Sequence, residues 1–157
     1  MSFQSVCADL SVRAPDLPII EVDQSTATVA EAAEALGVAS GQIAKTLALR
    51  VNDRIVLLVT RGDSRLDNQK TRSALGGKPR MLDPLETFAV TGHPVGGVCP
   101  FGLLSPLPIY CDVSLRAFDI VYPAAGSLNS SVKVAPDRLA MLISAEWVDV
   151  CRLPDER

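Results

Sequence analysis

Two residues of the sequence could form a nucleophilic pair. His93 is the only imidazole of the chain and lies between Gly92 and Pro94, so a Ser-His-Asp or Cys-His arrangement would have to use it. No Gly-x-Ser-x-Gly elbow supplies a serine, and Cys99 is the nucleophile closest to this imidazole in the sequence. A thiol hydrolase is therefore one hypothesis, and the alternative is that both residues only pack within a loop.

The segment around His93 is rich in glycine and could bind an anion. It reads Gly-His-Pro-Val-Gly-Gly-Val-Cys-Pro-Phe-Gly over residues 92–102. No Gly-Lys-Ser/Thr follows it, and it does not match Gly-x-Gly-x-x-Gly, so the usual nucleotide loops are excluded. Glycines let main-chain amides approach a ligand closely, and such amides could hold a phosphate or stabilise an oxyanion. A tight turn that crosses the domain is the competing interpretation.

Lysine is rare in this chain, which draws attention to Lys45. It stands within Ile-Ala-Lys-Thr-Leu-Ala-Leu at residues 43–49, an apolar run typical of a strand. A lysine with such neighbours either extends its ammonium to solvent at a sheet edge or points into a pocket. On the residues alone, the sheet edge is favoured.

A basic segment lies at residues 61–80. It holds six basic and two acidic side chains in a chain whose net charge is −3. A local basic segment on an acidic protein suits contact with one end of a polyanion. A solvated helix face is the alternative.

Length and composition exclude several classes of protein. A chain of 157 residues favours a single domain over 1–157, large enough to fold without disulfides or metal. Its 48% hydrophobic content excludes a disordered chain, and its acidic balance argues against a non-specific coat on nucleic acid. The four cysteines have no metal-ligand spacing, so we expect no metal or other cofactor. No leader or long apolar run is evident, so we expect a soluble, cytoplasmic protein with neither DNA nor a membrane as partner.

Capping residues and apolar spacing predict short helices alternating with strands. The pattern includes a hairpin that turns at Asn52-Asp53 and a loop over 92–108 that is rich in glycine and proline. Predicted helices run over 2–13, from Thr28 to Gly37, from Asp67 to Gly76, from Asp83 onward, and from Pro136 to about Ser144. Predicted strands cover 19–22, 45–51, 54–60, 108–112, 120–122, 131–134 and 148–153. This order predicts the α/β (α+β) class, with a mixed, largely antiparallel sheet.

Five short motifs in this order resemble the YbaK/prolyl-tRNA-synthetase-associated editing domain. They are Ile-Ala-Lys-Thr-Leu, Leu-Leu-Val-Thr-Arg-Gly-Asp, Arg-Leu-Asp-Asn-Gln-Lys, Thr-Gly-His-Pro-Val-Gly-Gly-Val-Cys-Pro-Phe-Gly and Pro-Ile-Tyr-Cys-Asp. The match runs from about residue 26 to 152, and the motifs are specific as a set. The resemblance implies a barrel-like sheet surrounded by helices and a free-standing deacylase that needs no metal.

The resemblance also implies an activity and a set of site residues. Such proteins hydrolyse the ester of tRNA charged with a wrong small amino acid (Ala, Cys, Ser or Thr), commonly on a tRNA for proline or cysteine. The residues that it marks as catalytic are Lys45, Gly96 and Gly97, and those that it marks as substrate-binding are Thr46, Pro100 and Asp112. The expected partners are the acceptor end of a mischarged tRNA and a synthetase, and the basic segment at 61–80, rather than the resemblance, supplies Arg65, Lys70 and Arg72 as predicted tRNA contacts. A non-catalytic module of the same fold that binds tRNA or a synthetase is the alternative.

One segment departs from the family pattern. Where the best-known Cys-tRNA deacylases have Ser-Gly-Gly-x-x-Gly-x-Asp, this chain has Ala-Ala-Gly-Ser-Leu-Asn-Ser-Ser at residues 124–131. A histidine that marks the Ala-specific branch is also missing. Ser127, Ser130 and Ser131 crowd this segment, and hydroxyl groups on a pocket wall favour substrates that also carry a hydroxyl. We therefore predict a preference for Ser or Thr esters, with Ser127 and Ser131 as substrate-binding residues.

Overall fold

The computed structural model describes residues 2–154, which form helices and strands in alternation. The α-helices in this part are α1 (Ser2–Arg13), α2 (Val29–Leu36), α3 (Asn68–Leu75), α4 (Pro84–Thr91) and α5 (Pro136–Leu142). Two 3-10 helices cover Ser40–Gln42 and Val113–Ala117. The strands are β1 (Ile19–Glu21), β2 (Ile43–Val51), β3 (Arg54–Arg61), β4 (Arg65–Leu66), β5 (Pro79–Met81), β6 (Ile109–Asp112), β7 (Tyr122–Pro123), β8 (Ser130–Val132), β9 (Glu146–Val148) and β10 (Cys151–Arg152).

The main sheet is mixed and open. Its strand order is β5-β2-β3-β6-β9, and β7 pairs with β2 beside β5. The pairs β2–β3 and β2–β5 are antiparallel, whereas β2–β7, β3–β6 and β6–β9 are parallel. Two small antiparallel sheets, β1–β8 and β4–β10, flank it. The predicted α+β class is confirmed, but the main sheet does not close into a barrel.

The central hairpin forms as its sequence predicts. Asn52 adopts a left-handed φ of 55°, which suits the two-residue turn that joins β2 to β3. The ladder then runs from Val51 opposite Arg54 to Ala44 opposite Arg61. On β3, Val56 to Thr60 are all buried, because helices or loops cover both faces of this central strand.

The predicted starts of α2, α3 and α4 are confirmed, as are the predicted ends of α2 and α3. Thr28, Asp67 and Asp83 each accept the amide of the residue three positions later, at α2, α3 and α4. Each of these helices ends on a left-handed glycine, namely Gly37, Gly76 or Gly92.

Two predictions about strands differ from the structure. The single strand predicted at 148–153 is two short strands, β9 and β10, which pair with different sheets. Strand β5 was not predicted, because Pro79-Arg-Met has no apolar alternation and is held only by its ladder with β2. No helix within residues 2–154 is long and apolar enough to cross a membrane.

Helix α1 packs directly against two loops of the domain. Val6 and Leu10 are fully buried in the largest apolar cluster. A Cβ on Gly102 would lie 2.6 Å from the carbonyl carbon of Ser5, and one on Gly126 would lie 2.8 Å from the carbonyl oxygen of Ser2. The main chain of α1 therefore fixes the loops at 92–108 and 124–130.

Candidate active site

A cavity of about 310 Å³ lies at one edge of the main sheet. Its walls come from the start of α2, the edge of β2, the connection from β5 into α4, the turn at 95–98, and the strands β7 and β8. Most of the lining is small and apolar, and Lys45 is the only charged residue in it. The lining consists of Thr26, Ala27, Thr28, Val29, Ala32, Ile43, Ala44, Lys45, Thr46, Leu47, Ala48, Met81, Leu82, Pro84, Thr87, Val95, Gly96, Val98, Tyr122, Ala124 and Ser131.

The cavity occupies a break in strand pairing. On this edge of β2, β7 pairs with residues 43–44 and β5 pairs with residues 49–51. The Leu82 amide also donates to the Ala48 carbonyl at 3.1 Å. Between these contacts about 10 Å of strand, residues 45–47, has no partner strand on this side.

Lys45 sits in this break, and its ammonium is held by a neighbouring turn. Lys45 Nζ donates to the Ser64 carbonyl at 2.6 Å, and the Ser64 hydroxyl donates to the Arg61 carbonyl at 2.7 Å. The turn cannot move toward Ser40, because a Cβ on Gly62 would already lie 2.3 Å from the Ser40 carbonyl oxygen. The favoured interpretation, a lysine directed to solvent, is therefore wrong: the side chain is half-buried and tethered at the cavity.

Burial lowers the pKa of Lys45 from its ordinary value of 10.5, and nearby Asp63 and Cys151 oppose this shift. The positive charge of Arg65 lowers the same pKa further, because it disfavours protonation of the lysine. Lys45 is thus a fixed cationic group in a partly desolvated position.

The glycine loop lines the cavity through Val95, Gly96 and Val98. Gly96 lines the cavity with φ of 94°, a conformation that glycine adopts without strain, and its amide has no acceptor among residues 2–154. The Gly97 amide instead donates to the Pro94 carbonyl at 2.9 Å, closing a turn. Gly97 packs on the main chain of 126–127, where an added Cβ would lie 3.0 Å from Ser127 N. Of the two predicted amides, only that of Gly96 is free to bind a ligand, and its role in catalysis stays a prediction.

Six hydroxyl-bearing side chains line the cavity, and three of them, Thr26, Thr46 and Ser131, bear on its choice of ligand. Ser131 is 2% exposed and bridges to Ala124 through the main chain. Thr26 is 6% exposed, and its hydroxyl has no hydrogen-bond partner among the described residues. The Thr46 hydroxyl is likewise buried without a partner. A buried hydroxyl without a partner costs about 1–3 kcal/mol, so these groups suit a ligand that bonds them.

Three predicted substrate contacts lie outside the cavity. Pro100 is buried and does not line it. Both Asp112 carboxylate oxygens accept main-chain amides, from Val150 at 2.8 Å and Ser114 at 3.0 Å, so this residue supports the scaffold. The Ser127 hydroxyl is occupied by Ser130 at 2.5 Å. None of the three lines the cavity, so the structure gives no support to their direct contact with substrate, which stays a prediction.

The possible thiol–imidazole pair is buried in the apolar core. Cys99 and His93 are both 0% exposed, with Sγ 3.6 Å from Nε2. Burial raises the pKa of Cys99 to about 12, so the thiolate is not populated at neutral pH. Nε2 donates to the Phe101 carbonyl at 2.6 Å and Nδ1 accepts from the Ser2 hydroxyl at 2.5 Å. The residues are packing groups, and the thiol hydrolase hypothesis is not supported.

The basic segment is partly neutralised. Arg61 pairs with Asp63 at 2.6 Å. Lys70 contacts Asp149 at 3.3 Å and donates to the Cys151 carbonyl at 3.0 Å, so it joins α3 to the last strands. Arg65 and Arg72 are exposed and are the predicted tRNA contacts that remain accessible.

Comparison with known proteins identifies the family. The family of aminoacyl-tRNA editing domains matches residues 23–142, which include β2, the glycine loop and every lining residue of the cavity. The chain belongs to this family. The resemblance inferred from the five sequence motifs is therefore confirmed.

Two of the similar proteins match nearly the whole chain, and a third matches about two thirds of it. Uncharacterized protein YwhH of Bacillus subtilis strain 168 is 43% identical over 154 residues, which are 97% of this chain and 98% of that protein. A solved structure described as a candidate trans-editing enzyme for prolyl-tRNA synthetase has a TM-score of 0.88 and 34% identity, with 96% of this chain and 97% of that one covered. The proline–tRNA ligase of Shouchella clausii is 35% identical over 113 residues, which are 71% of this chain and 20% of the ligase.

Sequence reasoning missed part of this editing-domain cavity. Thr26 and the residues 81–87 line it, although neither belongs to a motif with recognisable chemistry. Thr26 precedes the cap of α2 by two residues and appears in the sequence as an ordinary loop residue. Its position depends on the Thr26 amide, which donates to the Leu128 carbonyl at 2.6 Å. Because Thr26 and Leu128 are far apart in the sequence, no local sequence pattern predicts this contact.

Proposed function

We propose that this editing domain is a deacylase that hydrolyses the ester of tRNA mischarged with a small amino acid. The substrates would be Ser, Thr, Ala or Cys esters on tRNA-Pro or a similar tRNA, acted on in trans in the cytoplasm after a synthetase releases them. The observation that carries this proposal is the meeting of Lys45 and the free Gly96 amide at one small cavity.

The size and lining of the cavity support a small acyl group. At about 310 Å³ it stands at the lower end of ligand pockets. Alanines supply much of the wall, at positions 27, 32, 44, 48 and 124. Such a wall discriminates weakly among small apolar side chains, which is the situation in which a second hydrolytic site improves fidelity.

The reaction needs positioning more than acid–base chemistry. Water attacks the ester carbonyl, the tetrahedral oxyanion accepts the Gly96 N–H, and the bond to the ribose oxygen breaks to give tRNA and the free amino acid. One such donor is worth about 3 kcal/mol in the transition state. Lys45 would hold the terminal adenosine or its phosphate, and the vicinal ribose hydroxyl would assist the attacking water.

Hydroxyl groups in the cavity favour Ser or Thr esters within this substrate class. Ser131, Thr26 and Thr46 all line the wall. A site that bonds a substrate hydroxyl penalises analogues that lack it, because its own polar group is then left without a partner. The preference predicted from the serine-rich segment therefore rests on Ser131 and the two threonines.

A deacylation panel tests the function. Ser-, Thr-, Ala- and Cys-esters on tRNA-Pro, with the cognate Pro ester as control, are incubated with purified protein and the remaining aminoacyl-tRNA is measured. We expect hydrolysis of at least one small ester well above the Pro ester. Binding of uncharged tRNA without hydrolysis of any ester would instead favour a non-catalytic module.

A further inference from the structure

The open edge of β2 presents main-chain groups of one residue to the cavity. In a strand, the N–H and C=O groups of a residue point to the same edge, and the direction alternates from residue to residue. The Ala48 carbonyl accepts the Leu82 amide, so the even-numbered residues of β2 face the β5 side. The hairpin agrees, because a two-residue turn places Val51 and Arg54 in a hydrogen-bonded pair on the β3 side.

This alternation leaves Thr46 as the residue that faces the break. Ala44 is engaged by β7, and Ala48 and Arg50 face β5. Neither β5 nor β7 pairs with Thr46, and no other hydrogen bond of the described residues involves its N–H or C=O on this edge. Buried main-chain polar groups are almost always paired, so an unpaired set in a cavity is typical of a ligand-binding edge.

The dimensions of the break restrict its occupant. A strand from a partner protein would need a longer free edge, because β7 and β5 close the break at both ends. Only residues 45–47 are open, which matches a group the size of one amino acid.

The charge of the lining restricts the occupant further. No carboxylate of the described residues lines the cavity, and its one charged group is Lys45. A substrate α-amino group must therefore donate to neutral oxygen atoms. The outward carbonyl of Thr46 is such an acceptor in a fixed position.

We propose that the Thr46 main-chain carbonyl binds the free α-amino group of the aminoacyl ester. This inference rests on the proposed deacylase function. It implies that the site selects esters of amino acids whose α-amino group is free. An ester that is N-acylated, or that carries a hydroxyl in place of the amine, loses this contact.

The substrate arm of the test uses three esters on one tRNA body: alanyl, N-acetylalanyl and lactyl, in which a hydroxyl replaces the amine. Each kcat/KM is divided by the rate of spontaneous hydrolysis of the same ester, because the amine itself activates the bond. We expect the alanyl ester to exceed the other two by about 10- to 100-fold. Equal normalised values for alanyl and lactyl esters would overturn the inference, whereas hydrolysis of none of them would count against the proposed function itself.

The protein arm weakens the Thr46 carbonyl. Replacing Leu47 by its α-hydroxy acid turns the 46–47 amide into an ester, whose carbonyl is a poorer acceptor. The same replacement at Leu49 is the matched control, since each removes one N–H of the β2–β3 ladder. We expect the change at 47 to lower the alanyl-to-lactyl ratio toward one and the change at 49 to lower both rates alike. An unchanged alanyl-to-lactyl ratio in a folded variant at position 47 would show that another group binds the amine. If that variant does not fold, the comparison of the three esters with the unmodified protein decides.

Discussion

Lys45 combines a charge with a fixed position, which few surface lysines do. Its ammonium is tethered to the Ser64 carbonyl at 2.6 Å by a turn that Gly62 packs against the neighbouring chain. A lysine needed only for sheet packing would not require this tether. The arrangement supports a group that orients the tRNA end at the cavity.

Replacing Lys45 by alanine should reduce deacylation by about 100-fold or more, because a misplaced ester loses its alignment with water and the Gly96 amide. The fold should persist, since the neighbours of Lys45 on β2 carry the core contacts. Single-turnover deacylation and the urea midpoint are the measurements. Lys133→Ala, at an exposed lysine, is the control and should match the wild type. Near wild-type turnover by folded Lys45→Ala would remove the lysine from the mechanism.

Thr26 should contribute to the choice among small esters. Thr26→Val keeps the shape of the side chain and removes the buried hydroxyl, so the Ser-to-Ala ratio of kcat/KM should fall by about three- to tenfold. Thr60→Val is the matched control, because the Thr60 hydroxyl is also buried without a partner but does not line the cavity. If both variants change the Ser-to-Ala ratio equally, or neither does, the Thr26 hydroxyl does not contribute to the choice of substrate.

At the scale of elements, α1 and His93 hold the glycine loop. The imidazole joins Ser2 of α1 to the Phe101 carbonyl, and the Asp9 carboxylate accepts the Gly102 amide at 2.8 Å. The site residue Gly96 lies in the same loop, so the packing of α1 sets the backbone from which the Gly96 amide projects.

His93 should make this packing sensitive to pH. Burial lowers its pKa, although the bond to the Phe101 carbonyl opposes the shift, so the unfolded chain binds the proton more readily. The stabilisation is full above the unfolded pKa of about 6.5 and is lost as the pH falls through the lower folded value. Urea unfolding at pH 7.5, 6.0 and 5.0 should show a falling free energy of unfolding. His93→Gln should flatten this fall between pH 7.5 and 5.0, and a parallel fall in both proteins would assign it to other groups.

The elements with local signals could be predicted from the sequence, and the rest could not. Thr28, Asp67 and Asp83 mark their helix starts because capping depends on residues three positions apart. Strand β5 and the position of Thr26 depend on contacts with distant segments. The motifs drew Lys45 and Gly96 together, and both line the cavity, but no motif could show that the Gly97 amide is bonded to the Pro94 carbonyl.

At the scale of the whole molecule, exposed basic residues of the segment at 61–80 follow the turn that holds Lys45. Arg65 follows the turn that holds Lys45 and is near enough to lower its pKa, although burial of the lysine is the larger cause. Arg72 is exposed on α3, which begins three residues after Arg65. Since Lys70 already contacts Asp149, the surface that remains for phosphate runs from Arg65 to Arg72.

Reversing the charge of Arg72 should therefore raise the KM for tRNA several-fold with little change in kcat. A phosphate contact far from the ester contributes equally to the ground state and the transition state, so its loss appears in KM. The variant should also release fewer counterions, which lowers the salt dependence of KM by about one phosphate contact. Steady-state deacylation by Arg72→Glu at 50 to 300 mM salt measures both effects. Lys133→Glu makes the same charge change on an exposed residue outside the basic segment and should leave the salt slope as it is. If Arg72→Glu and Lys133→Glu give the same KM and the same salt dependence of KM, the effect comes from net charge alone. The exposed face of α3 would then be a solvated surface and not a tRNA contact.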